Sequence, residues 1–417
     1  MVNKRFLFVL NRYLPAKSGS EILTSQIAEK MVSMGHSVDV FAFDSLTDFD
    51  YVKKRASLLK EEKINNVKIT RFPLTRFIYH DRIMNMLEKR NIMTTYTGRR
   101  GLFSLPMINA LKRTIKDYDV IVSGVMPFTG VICPAMEIAK RLNKKIILLP
   151  LIHFGHISDK TDMKNFNEST IRPEQYKYEY FSDEAMKIYD LSDVIITQGI
   201  FEENYIKQNF NSHFVRINPS IKIPENFEIK NKKEFIISTL ANHSFEKGIE
   251  TTLNAFKLVK KEAPYAKLII AGYLDEKYKC MSKEIGGIEF RNSIDEEEKN
   301  KFFFNSDIFV LPSIAESLGI VTLEAHAHGV PTINAFCSGS MQIVKNRVNG
   351  FLVPFQDYLL IYEYIMSIYK DRALLEKMKM NARETATGQI KSTEGYSNGG
   401  FSSERQDKQI KNLLDIL

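Results

Sequence analysis

Residues 316–331 read ESLGIVTLEAHAHGVP. Two glutamates, Glu316 and Glu324, stand on either side of a glycine and a short apolar run. On one unbroken helix, eight steps would separate them by about 12 Å and roughly 80°. That is too far for a paired general acid and base. The flanking residues supply another account. DIFVLPS (307–313) is continuously apolar and reads as a buried strand, with IAESL as the loop at its carboxyl end. GIVTLEAHAH then forms a helix closed by GVP, and TINA (332–335) is the next strand. The helix N-terminus therefore opens at the end of a sheet, where its free N–H groups and dipole suit a phosphate. Gly319 lets the backbone come close to a ligand. Glu316 projects from the loop and Glu324 sits more than one turn into the helix, so they can contact different parts of one elongated ligand.

The same strand–helix alternation runs through the chain. The first half opens with FLFVL (6–10), a loop containing Pro15 and Gly19, and a helical stripe of Leu23, Ile27, Met31 and Met34 closed by Gly35. VDVFAF (38–43), DVIVSG (119–124), KIILLPL (145–151) and DVIITQ (193–198) are further strands, apolar throughout as expected when both faces are covered. The polar, proline-bearing NPSIKIPENFEIKNKKE (218–234) marks a linker. A second series follows: EFIISTLA (234–241), the helical LNAFKLVKKEAP (253–264), KLIIAGY (267–273) and DIFVLPS. We expect an α/β architecture with doubly wound domains over 1–218 and 234–386, a linker over 219–233, and a flexible loop plus C-terminal helix over 387–417. Ile410, Leu413, Leu414 and Leu417 give that last helix an apolar stripe with which to pack back on the chain. Two such domains in tandem face each other across a cleft at the carboxyl ends of their sheets.

Three scattered cysteines (Cys133, Cys280, Cys337) form neither a disulfide framework nor a metal pair, which fits a reducing, cytoplasmic setting. FLFVL is too short for a signal sequence, and the longest charge-free run, 120–136, is broken by two prolines and two glycines. That run is expected to be a buried strand, a turn and a helix start. The net charge of +8 comes entirely from residues 1–220, with 32 basic against 24 acidic residues; residues 51–116 alone hold 16 against 4. A solvated basic face is one reading of that stretch, and an anionic membrane surface or lipid-phosphate acceptor is the other. On the second reading, FIYHDRIMNMLEKRNIM (77–93) would lie on the membrane rather than serve as a core or lid helix. No aromatic or zinc-finger pattern supports nucleic acid as a partner.

A second anion site is suggested by ANHSFEKGIETT (241–252), where Lys247-Gly248 opens a helix and the lysine offers a point charge to a diphosphate. Alone it is more often a mere turn; with ESLG about 70 residues later it gains weight. His153 and His156 make an H-x-x-H without an identifiable third ligand, and no metal site is expected. Of the D-x-D triplets, 117–119 precedes its strand and so lies at the wrong end for the cleft, and 48–50 lies in a polar loop. His326 and His328 are expected on the helix surface or in packing, and His36 in a turn.

FEKGIETTLNAF (245–256), LPSIAESLGIVTLEAHAHGVP (311–331) and NGFLV (349–353) resemble the C-terminal nucleotide-sugar domain of retaining GT-B glycosyltransferases of the "glycosyl transferases group 1" family. PAKSGSE (15–21), the Gly35-His36 turn and PLIHFGH (150–156) extend the likeness more loosely over the first half. The resemblance implies a GT-B fold of two Rossmann-like domains and metal-independent transfer from a nucleotide sugar to a hydroxyl of a glycan or lipid-linked acceptor. It implies no cofactor besides the nucleotide-sugar co-substrate, with UDP favoured over GDP or ADP. By likeness of position, Glu316 would hold donor-sugar hydroxyls and Lys247 the diphosphate, with His153 near the sugar's outer hydroxyl. The backbone of Leu318, Gly319 and Ile320 would meet sugar and phosphates, Glu324 the ribose, and Gly19 would lie opposite the phosphates. The chain departs from the family at Asn242, where an arginine is usual, at Ser18-Gly19, and at Ser338-Gly339…Gln342 in place of Gly-Gly…Glu. Asn242 removes a bidentate phosphate partner. A catalytically weak nucleotide-sugar-binding scaffold is therefore the alternative.

Overall fold

The structure, a computed structural model, describes residues 3–47, 49–52, 58–75, 102–154, 180, 183–225, 227–228, 234–240, 245–292, 294–389 and 400–417. Asn242, His156, Asp48, the segment 77–93 and residues 390–399 of the Gly/Ser/Thr-rich stretch lie outside the described residues.

The first half contributes β1 (Arg5–Val9), β2 (Ser37–Phe43), β3 (Glu61–Ile64), β4 (Val67–Phe72), β5 (Val120–Gly124), β6 (Lys145–Leu149), β7 (Val194–Thr197) and β8 (His213–Arg216). They form one sheet in the order β3-β4-β2-β1-β5-β6-β7-β8, parallel except for the β3–β4 pair. Helices α1 (Gly19–Ser33) and α2 (Ile200–Asn209) leave the carboxyl ends of β1 and β7. The second half contributes β9 (Ile236–Leu240), β10 (Lys267–Ala271), β11 (Ile288–Arg291), β12 (Ile308–Leu311), β13 (Thr332–Ala335) and β14 (Gly350–Val353). This sheet is wholly parallel in the order β11-β10-β9-β12-β13-β14. Its helices include α3 (Ile249–Glu262), α4 (Glu296–Asn305), α5 (Ile320–Ala327) and α6 (Ser338–Ile343).

The continuous apolar runs are explained by two cores per sheet. In β1, Phe6 and Phe8 enter one core while Leu7 and Val9 enter the other. In β12, Ile308 and Val310 alternate in the same way with Phe309 and Leu311. Strand order reverses between β1 and β5, and again between β9 and β12. Each reversal parts the flanking loops and opens a crevice at the carboxyl ends.

The β3–β4 hairpin is not anticipated by the continuous-run criterion, because its strands alternate and carry charges. Its signal is Asn65-Asn66, with φ of 49° and 65°. Two successive left-handed residues make the tight turn that matches strand twist. Arg71 on β4 is buried against the Glu62 carboxylate, so it does not belong to any exposed basic face. No helix among the described residues is long and apolar enough to cross a membrane.

The last helix, α7 (Ser403–Ile416), returns to the first domain. Ile410, Leu413 and Leu414 join Leu23, Ile27 and Met31 of α1 in one core, and Lys30 pairs with Asp407. Leu413 is fully buried there. Leu413→Ala should therefore cost about 2–5 kcal/mol and lower the calorimetric midpoint of unfolding. An unchanged midpoint would show that α7 contributes nothing to the first domain.

Candidate functional site

The loops after β9 and β12 meet because their strands are neighbours at the second reversal. Three local features then bring them into contact. Gly248 caps α3 with φ of 68°, and a Cβ there would lie 2.5 Å from the Pro312 carbonyl oxygen. Only glycine accepts both the left-handed backbone and this approach. The Ile314 N–H donates to the Glu246 carbonyl at 2.9 Å. Lys247 Nζ then lies 2.5 Å from Glu316 Oε1.

Neither charge is free in water: the Glu316 side chain is 12% exposed and that of Lys247 27%. Burial disfavours the Glu316 carboxylate, but the Lys247 ammonium and, less strongly, His153 favour it, so its pKa falls below the ordinary 4.5. Burial likewise opposes charge on Lys247, and Glu316 outweighs it, raising the pKa above 10.5. Both groups are therefore ionised at neutral pH.

From Glu316 the chain reaches Gly319, which caps α5 at φ of 89°. Leu318 is buried beside Leu323 and Ile343, anchoring the loop while its backbone runs to the helix start. The first N–H groups of a helix, here including that of Ile320, find no partner within it. Gly19, at the start of α1, faces this point from the first domain: a methyl group on it would come 3.5 Å from Ile320 Cδ1. Glu316, Lys247, Leu318, Gly319, Ile320 and Gly19 thus converge.

Helix α6 supports the loop from behind. The Glu316 carbonyl accepts from Gly339 N–H at 3.0 Å and from Ser338 Oγ at 2.9 Å. A Cβ on Gly339 would sit 2.8 Å from atoms of Glu316 and Leu318, so glycine is sterically required. Ser338 also reaches across to the Phe154 carbonyl, through its N–H at 3.4 Å and its hydroxyl at 3.3 Å. Gln342 Oε1 accepts from Ile200 N–H at the start of α2, at 2.9 Å. The positions read from sequence as departures from Gly-Gly…Glu are therefore contacts between the two domains.

His153 lies on the first-domain side, half-buried, with Nδ1 2.7 Å from the hydroxyl of the buried Tyr180. The preceding residue is held by Glu202, whose carboxylate accepts the Ile152 N–H at 2.6 Å and also the Gln198 N–H. Burial pushes the Glu202 pKa up to about 8.

Glu324 occupies the next turns of α5, its side chain 15% exposed and 2.6 Å from Lys299 of α4. His326 is fully buried, with burial lowering its pKa to about 3, and His328 packs on Phe303; both are packing residues. Sequence reasoning missed Lys299 and Tyr180. Lys299 sits in the charge run EEEKNK, which resembles a solvated face, and only the packing of α4 beside α5 reveals its partner. Tyr180 is far from His153 in sequence and carries no local signal.

The opposite shifts of the pair fix its pH behaviour. The Glu316 contribution is present above 4.5 and fades as pH falls through its depressed pKa; the Lys247 contribution is present below 10.5 and fades as pH rises through its elevated one. The difference in melting temperature between wild type and Glu316→Gln should be constant from about pH 6 to 9 and shrink as pH falls toward about 3. A difference that persists unchanged at the acid end would show that the ion pair is not its source.

Comparison with known proteins fits this geometry. Residues 222–385 match the family model described as glycosyl transferases group 1. The capsular polysaccharide biosynthesis glycosyltransferase CapM of Staphylococcus aureus is 26% identical over 189 residues, 41% of this chain and 46% of that protein. The chain spans about half or less of the length of the first curated relatives it matches. Over whole structures, the fold is similar to that of sucrose-phosphate synthase from Thermosynechococcus elongatus, with a TM-score of 0.67, 18% identity, and coverage of 99% of this chain and 98% of that one. Anabaena HepE, solved with UDP and glucose, matches with a TM-score of 0.66 and 15% identity over 100% of both chains. The fold is GT-B, with two parallel-sheet domains.

Proposed function

We propose that the chain, whose residues 222–385 match the glycosyl transferases group 1 model, is a retaining glycosyltransferase using a nucleoside diphosphate sugar. The observation that carries this reading is the Lys247–Glu316 pair at the mouth of the α5 N-terminus, with Gly19 opposite. A ligand with a diphosphate and a hydroxyl-rich sugar satisfies both members at once. The diphosphate draws the Lys247 ammonium away from Glu316 and lies on the first N–H groups of α5. Glu316, released from Lys247, accepts from donor-sugar hydroxyls. Glu324, further along the same helix, reaches the ribose.

Transfer breaks the bond between the anomeric carbon and the diphosphate oxygen and forms one to the acceptor oxygen. Charge develops on the departing diphosphate, where Lys247 and the helix start already point, without calling on a metal. The departing phosphate oxygen takes the proton of the acceptor hydroxyl on the same face, so the anomeric configuration is kept and no second carboxylate is required. His153, held by Tyr180 and by the Glu202-anchored backbone, faces the sugar from the first domain.

The donor is a UDP-sugar in preference to a GDP- or ADP-sugar, as in the UDP complex of HepE. The acceptor is a hydroxyl of a glycan or lipid-linked saccharide, in line with the capsular polysaccharide role in the name of CapM. The basic stretch 51–116 adds an anionic membrane surface as a partner, with the chain cytoplasmic and peripheral. On the helix Leu105–Thr114, the exposed Leu105 and Lys112 lie on one face, seven residues apart.

Calorimetry with UDP-, GDP- and ADP-sugars should detect binding of at least one, and Glu316→Ala and Lys247→Ala should each lower transfer or donor hydrolysis by about 100-fold or more. Unchanged turnover in both variants would place the site elsewhere. Binding without turnover across a broad acceptor panel would favour the scaffold alternative, to which Asn242 and Gln342 point. In a separate assay, the protein should sediment with vesicles of anionic lipid at low salt and be released above about 0.3 M salt. Sedimentation that ignores salt, or its absence, would remove the membrane role.

A further inference from the structure

We infer that Lys299 is a positioning residue for nucleotide recognition, holding the Glu324 carboxylate ready for the ribose. This rests on the ribose-side reading of Glu324.

The geometry is a seam between two helices that both begin at the carboxyl end of the second sheet. Helix α4 is started firmly: Asp295 accepts from Glu298 N–H, and the Glu298 side chain accepts from Asp295 N–H. One turn on, Phe302 and Phe303 bury themselves in a core shared with Ala325 of α5. That packing sets the residues between them against α5. Lys299 Nζ meets Glu324 Oε1 at 2.6 Å, His328 Nε2 meets Asn300 Oδ1 at 3.1 Å, and the Phe303 and His328 rings lie 5.3 Å apart. Glu324 and His328 are one turn apart on α5, and the His328 Nδ1 binds the Glu324 carbonyl at 2.7 Å. The seam therefore fixes both backbone and carboxylate of Glu324.

Among the described residues, few charges surround Glu324. On α4 they are Lys299 and, 2.9 Å from it, Glu296, whose side chain is 68% exposed. On α5, His328 is held neutral chiefly by burial. From the helix Arg372–Thr387, Arg383 donates to the Ala327 and Pro224 carbonyls instead. Lys299 is thus the cation that faces the carboxylate directly. Burial raises the Glu324 pKa and Lys299 lowers it, with the balance still above the ordinary carboxylate value. Remove the ammonium and burial acts unopposed, aided by Glu296. A protonated Glu324 can no longer accept from both ribose hydroxyls, because one of its oxygens has become a donor.

The test is calorimetric titration of UDP, GDP and ADP into wild type, Lys299→Met, Lys299→Arg and Glu324→Gln at pH 7, 8 and 9. The nucleotide that wild type binds most tightly is followed, and variant-to-wild-type ratios cancel its own titration. Lys299→Met should bind more weakly than wild type at pH 7, with the deficit shrinking at pH 8 and smallest at pH 9. Lys299→Arg, which keeps the charge, should stay within about threefold throughout. Weakening of Lys299→Met by one constant factor at every pH would overturn the inference, since a lost direct contact or a merely structural role behaves that way. Normal affinity of Lys299→Met beside weakened Glu324→Gln would also overturn it while leaving the ribose role intact. If Glu324→Gln binds like wild type, the ribose reading itself fails. Should Lys299→Met not fold, Lys299→Gln removes the same charge and is read by the same ratios.

Discussion

The ion pair of Lys247 and Glu316 is the contact on which the rest of the site depends. It joins two loops that belong to different strand–helix units and holds each at the carboxyl end of its strand. Removing two charges from water costs several kcal/mol per ion, and a buried pair recovers this only with good geometry and further partners. Such a pair is a poor choice for stability alone. For the proposed donor site it is well suited: each group stays ionised because of the other, and on that reading a diphosphate would take the lysine and sugar hydroxyls the glutamate. Gly248 and Gly339 make the pair possible by letting backbone pass where a side chain would collide with Pro312, Glu316 or Leu318.

Much of this was legible in the residues, because the decisive units are local. DIFVLPS, IAESL and GIVTLEAHAH could each be assigned from apolar pattern and glycine placement, and the structure gives β12 (Ile308–Leu311), a loop and α5 (Ile320–Ala327) there. The parallel strands were visible for the same reason: burial on both faces erases the alternation. The β3–β4 hairpin escaped because an edge hairpin shares neither feature, and its Asn65-Asn66 turn was the only cue. Long-range partners escaped more completely. Nothing near Glu324 names Lys299, and nothing near His153 names Tyr180, because helix packing and chain return decide those pairs.

The two domains are also tied beyond the site. Ser338 and Gln342 of α6 reach Phe154 and Ile200, so the helix that supports Glu316 also touches the loop carrying His153 and the start of α2. Where the chain leaves the first domain, Asn218 is bonded by Gln406 and Gln409 of α7, and Ser220 by Gln26 of α1. These contacts are all made by neutral groups.

The most direct measurement is a crystal structure of the protein with UDP bound. The account predicts the diphosphate between the Lys247 ammonium and the first N–H groups of α5, with Lys247 drawn off Glu316 and the ribose hydroxyls on Glu324. A nucleotide seated away from Gly319, or one at Gly319 with Lys247 still bound to Glu316, would contradict it.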